Sequence, residues 1–302
     1  MIDVSPKFNT LRYARAEGFL ACSAESLQKI AAREVPKGDV VEVARAAGIA
    51  AAKRTADWIV FCHPIPIDWI EVTVTPEKDG LLVRAEVRSV WKTGVEMEAL
   101  TAVSAALLNA YDMLKPIDSS LTIGEIRLVE KKGGKSDFTE SLPRPLTAAV
   151  LVISDSTFAG KREDKSGRII EEFLGKQQIE VAHYEVLPDD RKQIAERLRQ
   201  LADGEQVDLI FTTSGTGLGP KDVTQEATRE VIEREAPGIA EAIRKYGKDR
   251  TPYAMLSRGV CGVRGGTLIV NLPGSSRGAK ESLEALFPGL LHAFSMMWGG
   301  GH

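Results

Sequence analysis

Two kinds of hydrophobic pattern divide this chain. Up to about residue 130, apolar positions either recur at helical spacing or alternate with polar ones; from residue 147 they run together in short, nearly continuous blocks. In the first stretch, VVEVARAAGIAAAKRT (40–55) is alanine-rich and predicts a helix. Residues 69–76 and 81–90 alternate around Glu77-Lys78-Asp79-Gly80, the pattern of a β-hairpin. Residues 97–115 place Leu100, Val103, Leu107, Ala110 and Leu114 on one stripe ended by Pro116, which predicts a long helix. A last strand is expected over Leu121–Glu130. These elements read as α+β.

The second stretch alternates strand and helix. Strand 147–154 lies in AAVLVISDS, whose unbroken apolar run predicts burial on both faces of a parallel sheet. A helix containing Ile169, Ile170, Phe173 and Leu174 follows, then strand 179–187 and a helix over 191–202 with Ile194, Leu198 and Leu201 inward. Strand 207–213 runs into SGTGLGPKD, and strand 267–272 into PGSSRG before another helix. We therefore expect an α+β (ferredoxin-like) N-terminal domain, followed by an α/β doubly wound, mostly parallel-sheet C-terminal domain. Ligands of such sheets bind at the carboxyl ends of the strands. The seam is the proline-rich TESLPRPLT (139–147), which sets the domains at 1–142 and 143–302.

Composition narrows the chemistry. A length of 302 residues suits two domains of about 150 residues each. Residues 1–146 carry 19 basic against 20 acidic side chains and residues 147–302 carry 20 against 22, so neither half has the basic excess of a duplex nucleic-acid binder. Cys22, Cys62 and Cys261 form no C-x-x-C pair, and His63, His183, His292 and His302 show no metal-ligand spacing. A disulfide framework, a zinc ribbon, an iron–sulfur cluster and a tightly bound transition metal are not expected. The N-terminus lacks a signal-peptide pattern and no run approaches the roughly 18 apolar residues of a membrane span, so a cytoplasmic protein is expected.

Candidate chemistry in the second domain centres on two loops. Thr212 to Asp222 combines hydroxyls, three glycines, Lys221 and a carboxylate, and Asn271-Leu272-Pro273-Gly274-Ser275-Ser276 is a second turn after a strand. Glycines let backbone amides approach an anion, although the first loop is not a G-x-x-x-x-G-K-[ST] sequence. Either loop alone could be a tight connection. Both together, with Asp155, Asp189 and Asp222 near strand ends, point to a phosphate site in which Mg²⁺ bridges carboxylates and phosphate. VISDS, LPDD, TTSGTGLGPKDVT, PGIAEAIR, LSR and NLPGS resemble, in this order, the molybdopterin-binding family typified by the adenylyltransferases MogA and MoaB, over residues 147–298. The resemblance implies transfer of AMP from Mg·ATP to the terminal phosphate of molybdopterin. It implies Asp189 and Asp222 as the required, Mg²⁺-handling carboxylates. Thr213, Ser214, Gly215, Thr216, Gly217, Pro273, Gly274 and Ser275 are the implied substrate contacts. The family pattern is T-T-G-G-T-G, and Ser214 here replaces the first of those two glycines; a positive φ there would cost roughly 1 kcal/mol or more.

In the first domain Asp112 and Lys115 are three apart and share a helix face. A carboxylate keeps a nearby lysine charged while burial lowers the lysine pKa, which makes a tunable acid/base pair; an ordinary surface ion pair is the simpler reading of the spacing alone. DVS, KGDV, AAKRT, FCHP, KTGVEMEALT, YDMLK and KKGGKSDF resemble, in order across residues 1–138, the MoaC family of cyclic pyranopterin monophosphate synthases. The implied reaction rearranges a GTP-derived cyclic purine triphosphate to cyclic pyranopterin monophosphate with loss of pyrophosphate. Matching positions imply Asp112 and Lys115 as catalytic, and Phe61, Cys62, His63, Met97 and Glu98 as substrate-binding. Lys37, Lys53 and Lys131 or Lys132 are the implied cationic contacts. Charge logic adds Arg54 to Lys53 and Lys131 as candidates to neutralise the departing pyrophosphate, with Arg12 as a further phosphate contact. The whole reads as a fusion of two enzymes of molybdenum cofactor biosynthesis whose steps are not consecutive. We expect a homo-hexamer or another trimer-based oligomer. The competing reading makes the second domain a non-catalytic molybdopterin-binding or oligomerisation module, against which stands the presence of both Asp189 and Asp222.

Overall fold

The alternation of the first stretch becomes a four-stranded antiparallel sheet. In chain order its unit consists of β1 (Thr10–Ala21), α1 (Ala24–Ala32), α2 (Val40–Ala52), the single turn α3 (Thr55–Trp58), β2 (Trp69–Glu77), β3 (Gly80–Trp91), α4 (Glu96–Leu114) and β4 (Thr122–Lys132). The spatial order is β2-β3-β1-β4, with every neighbouring pair antiparallel. β1 and β2 are thus parallel with β3 between them, and β3 and β4 are parallel with β1 between them. These two interleaved β-α-β units make the expected ferredoxin-like arrangement. The computed structural model describes residues 1–299; residues 300–302, His302 among them, and the side chains of Lys135 and Ser136 lie outside the described residues.

β1 is central to this sheet, and no hydrophobic pattern announced it. Its inward positions are Ala14, Ala16, Gly18 and Leu20, mostly too small to stand out from their polar neighbours. They are small because α4 lies directly upon them: a Cβ on Gly18 would sit 2.8 Å from both Leu107 Cδ1 and Val103 Cγ1. The same device joins α2 to α4, where a Cβ on Gly48 would lie 2.9 Å from the carbonyl oxygen of Ala102. α2 runs antiparallel to α4, because Lys37, just before α2, reaches Asp112 near the end of α4. The buried stripe of α4 contains Val103, Leu107, Ala110 and Leu114, as its sequence predicted, while Leu100 is only half-buried.

The second unit begins at Thr139. It comprises β5 (Thr147–Ile153), α5 (Asp155–Phe158), α6 (Ser166–Lys176), β6 (Glu180–Leu187), α7 (Arg191–Arg199), β7 (Leu209–Thr213), α8 (Thr224–Val231), β8 (Arg234–Glu235), α9 (Pro237–Lys248), β9 (Cys261–Arg264), β10 (Thr267–Leu272), α10 (Ser276–Leu286) and α11 (His292–Met297). Its sheet has the order β6-β5-β7-β10-β9-β8, parallel from β6 to β10 and antiparallel at the β9-β8 edge. The unbroken apolar run of β5 is explained by two cores. Ala148, Val150 and Val152 face α6, α9 and α10, whereas Ala149, Leu151 and Ile153 face α7 and α8. Helix 191–202 is α-helical only to Arg199 and continues as a π-helical turn through Gly204. The proline-rich seam packs with the second unit: Glu140 accepts from Ser295 and pairs with His292 at 2.6 Å, and Arg144 forks onto the buried carboxylate of Asp208 at 2.5 and 2.8 Å.

One buried polar side chain ties the strand ends together. Asn271 Nδ2 donates to Thr212 Oγ1 and to Thr228 Oγ1, both at 2.9 Å, and its Oδ1 accepts from the Val260 amide at 3.1 Å. β10, β7, α8 and the segment leading to β9 therefore meet at one amide. Asn271→Ala leaves buried polar groups without partners at about 1–3 kcal/mol each, so urea unfolding is expected to show a loss of at least about 2 kcal/mol confined to the second domain.

Candidate functional sites

α4 carries functional groups at both of its ends. Near its C-terminus the Asp112 carboxylate receives Lys37 Nζ at 2.6 Å and Lys115 Nζ at 2.7 Å, and the Asp112 carbonyl accepts from Lys37 at 2.9 Å. The hydrogen bond from Lys115, and then that from Lys37, hold the Asp112 carboxyl down at about 2. Asp112 in turn raises Lys115, chiefly through the same hydrogen bond. The expected lowering of Lys115 by burial is not met in the single chain, because its side chain is 57% exposed. Lys37, expected to touch substrate, is a partner of the Asp112 carboxylate in the single chain.

At the other end of α4, Glu98 is 3% exposed and burial pushes its carboxyl up to about 7. Its Oε2 is buried without a hydrogen-bond partner. Glu98 lines a cleft of about 620 Å³ together with Phe61, Cys62, His63, Met97 and the Thr93-Gly94 turn. Burial raises the Cys62 thiol, which leaves it unsuited to act as a nucleophile. Lys131 approaches Glu96 at 3.6 Å, and Arg12 donates to the carbonyls of Trp91 and Lys92, so both cations stand at this end. Lys53 and Arg54 follow the C-terminus of α2, which antiparallel packing also brings towards the Glu98 end. The five residues expected to bind substrate thus come together. Asp112 does not join them, since fourteen residues of helix separate it from Glu98 by about 21 Å.

In the second domain the two loops face each other across the carboxyl ends of β7 and β10. Thr213 Oγ1 donates to the Pro273 carbonyl at 2.9 Å, and the Ser214 amide donates to that of Leu272 at 3.2 Å. A Cβ on Gly274 would lie 2.7 Å from Ser214 Oγ. Ser214 has φ +82° and Gly215 φ +64°. The serine therefore does adopt the left-handed conformation that glycine takes freely, at a cost of about 1 kcal/mol. Ser275 caps α10 by accepting from the Gly278 amide, and a small cleft between these loops and the segment that follows β5 is lined by Ser154, Asp164, Lys165, Ser214, Gly274 and Ser276.

The acidic groups pair differently from expectation. The Asp189 carboxylate accepts from the Asp155 amide at 2.9 Å and Asp155 accepts from the Asp189 amide at 3.1 Å, while Lys221 Nζ lies 2.5 Å from Asp155. Lys221 is the main reason that Asp155 is held below the usual carboxylate range. Asp222 turns back onto its own loop and accepts from the Gly219 amide at 2.7 Å. Asp155 is thus the partner of Asp189, a role that its position after VIS signalled only as proximity to a strand end. Among the described residues no three His, Cys, Asp or Glu side chains converge as a metal site. Two carboxylates beside the glycine-rich loop are nonetheless a donor set that fits Mg²⁺, which binds through one or two carboxylates and completes its shell with phosphate oxygens and water.

Residues 1–134 match the MoaC family, and residues 149–292 match the family termed probable molybdopterin binding domain. The chain is 41% identical, over all of its length and 96% of the relative's, to the molybdenum cofactor biosynthesis bifunctional protein of Chlorobaculum tepidum. It is 40% identical to the protein of the same description from Synechococcus elongatus, across the full chain and 98% of that protein. Its first 48% is 48% identical to 86% of the cyclic pyranopterin monophosphate synthase of Deinococcus radiodurans.

The two perturbed carboxyls of α4 make opposite predictions. Asp112 has a lowered folded pKa, so the stability it contributes is present above the ordinary carboxylate range and is lost as pH falls through about 2. Lys37→Met is expected to move its titration up towards about 3.9, followed by carbon NMR of the Asp112 carboxyl. Glu98 has a raised folded pKa, so stability is greatest below the ordinary range and declines as pH rises through about 7. Glu98→Gln is expected to flatten that decline and raise the melting temperature at pH 8.

Proposed function

The chain belongs to the family of molybdenum cofactor biosynthesis bifunctional proteins, a MoaC domain joined to a molybdopterin-binding domain, and on that premise we propose a reaction for each half. The first converts a GTP-derived cyclic purine triphosphate to cyclic pyranopterin monophosphate and pyrophosphate. The second adenylylates molybdopterin with Mg·ATP. Both substrates are cytoplasmic small molecules in this reading, and no helix among the described residues is long and apolar enough to cross a membrane.

In the first domain the supporting observation is the division of labour along α4. Asp112, held ionised between Lys37 and Lys115, orients Lys115 and keeps it charged as a donor. Glu98, with a carboxyl at about 7, shares its proton readily with a purine-derived ring held between Phe61, His63 and Met97. Lys53, Arg54, Lys131 and Arg12 gather at the cleft end, where a triphosphate requires positive charge. A distance of about 21 Å between Asp112 and Glu98 is too long for one substrate to bridge. We therefore assign the complete site to two copies of the chain, the cleft of one closed by the Asp112 end of another, within a homo-hexamer or other trimer-based oligomer.

In the second domain the supporting observation is the carboxylate pair Asp155–Asp189, neutralised by Lys221 and set beside two facing loops. The amides of Gly215 to Gly217 and the hydroxyl of Ser275 hold phosphate oxygens, while Thr213 and Ser214 fix the two loops against each other and Pro273-Gly274 closes the opposite wall. Asp189 and Asp222 are the residues that would hold magnesium, which would supply charge neutralisation to the ATP phosphates when bound. The terminal phosphate of molybdopterin attacks the α-phosphorus and pyrophosphate leaves, a displacement in which positioning and charge stabilisation are the protein's main contribution.

Two measurements test this. Asp112→Asn is expected to lower formation of cyclic pyranopterin monophosphate by about 10²- to 10⁴-fold. Mixed oligomers of Asp112→Asn and Glu98→Ala chains should regain activity that neither variant has alone; no recovery overturns the shared site. Protein supplied with molybdopterin and Mg·ATP should release pyrophosphate, and Asp222→Asn should reduce that release by about 10²-fold. Release that is absent, or unchanged in the variant, overturns the adenylyltransferase claim.

A further inference from the structure

The loop 214–222 carries most of what the proposed adenylyl transfer uses, and one residue from a distant segment holds it from behind. Arg258 lies in the extended stretch before β9, touches the loop three ways and the helix after it once. Its backbone amide donates to the Thr216 carbonyl at 2.9 Å. Its Nε donates to the Gly217 carbonyl and its Nη2 to the Asp222 carbonyl, both at 2.7 Å. Its Nη1 pairs with Glu226 in α8, also at 2.7 Å. One guanidinium thus closes the chord of the loop from Gly217 to Asp222 and anchors it to the following helix.

We propose that Arg258 is a positioning residue for this loop, setting the direction of its phosphate-facing amides and the place of Asp222; the proposal rests on the adenylyl-transfer reading above. The physical reason lies in the planar trans peptide, in which a carbonyl and the next amide point in opposite directions. Drawing the Thr216 and Gly217 carbonyls towards Arg258 turns the Gly217 and Leu218 amides the other way, the arrangement that makes an anion-binding concavity. The carbonyl dipoles and Glu226 absorb the charge of the guanidinium on its own side of the loop. Lysine cannot substitute: its ammonium is a single point, whereas Gly217, Asp222 and Glu226 are reached by three donors of one rigid fork. A cavity of about 320 Å³ beside Arg258, lined also by Glu226, Arg229, Arg244 and Gly259, would admit a small cation if the side chain were removed.

The test uses the full chain with molybdopterin and Mg·ATP, comparing wild type, Arg258→Lys and Arg258→Ala. Arg258→Lys should lower kcat for pyrophosphate release by about 10²-fold, the scale of a small misplacement of reacting groups, with a much smaller change in KM and in melting temperature. Amide hydrogen exchange over 214–222 should quicken in the same variant. Ethylguanidinium, and not ethylammonium, should restore part of the activity of Arg258→Ala. A wild-type kcat in Arg258→Lys, or a loss matched in full by unfolding and unrescued by ethylguanidinium, overturns the proposal. Wild-type protein that releases no pyrophosphate overturns the adenylyl-transfer reading alone; loop exchange then decides the role of Arg258, and unchanged exchange refutes it.

Discussion

The buried amide of Asn271 is the constraint on which the second domain depends. It sits where two parallel strands end, and its three hydrogen bonds go to β7, α8 and the segment that leads into β9. A buried network of this kind is stable only when every member is satisfied, so the strand ends have little freedom to shift. The facing of the two loops follows from it: Thr213 meets Pro273 and Ser214 meets Leu272 because Thr212 and Asn271 are already fixed beside each other. That rigidity also carries the cost of the left-handed Ser214. Backbone strain of this sort persists where the surroundings over-determine the conformation, and here it places a hydroxyl against Gly274 in the cleft.

In the first domain the corresponding constraint is one 19-residue helix. α4 lies on a strand of alanines and glycine and against a glycine in α2, and these close approaches leave it nowhere to bend or shift. Two carboxylates of one helix are then driven in opposite directions by their surroundings. Asp112, exposed between two lysines, stays ionised far below neutrality; Glu98, enclosed with one oxygen unpartnered, holds its proton to about 7. Environment alone separates an ionised carboxylate from one that keeps its proton. The length of that helix keeps them apart within one chain.

Much of the architecture was legible in the residue pattern. The hairpin around Glu77–Gly80, the helix stopped by Pro116 and the unbroken run of β5 each announced their element, because burial on one face, one stripe or two faces imposes its own period. β1 escaped because its inward positions are small, and small residues carry little hydrophobic contrast. α9 and the β8–β9 edge escaped because they lie in a stretch without a clear strand–turn–helix rhythm. The carboxylates, lysines and glycine loops of both sites could be named from motifs, since phosphate and proton chemistry demand those residue types.

The amino-acid sequence by itself determined the two-domain division, the class of each fold and the inventory of reactive side chains, all of which depend on local composition and period. Only the tertiary structure decided which of them meet. It paired Asp189 with Asp155 and Lys221, gave Lys37 to Asp112, and turned Asp222 onto its own loop. It also separated Asp112 from Glu98 along one helix and brought Arg258 behind a loop some forty residues away in sequence. Contacts of that kind depend on where chain segments cross. A carboxylate acquires its charge state, and a guanidinium its place, from the surroundings that the crossing supplies.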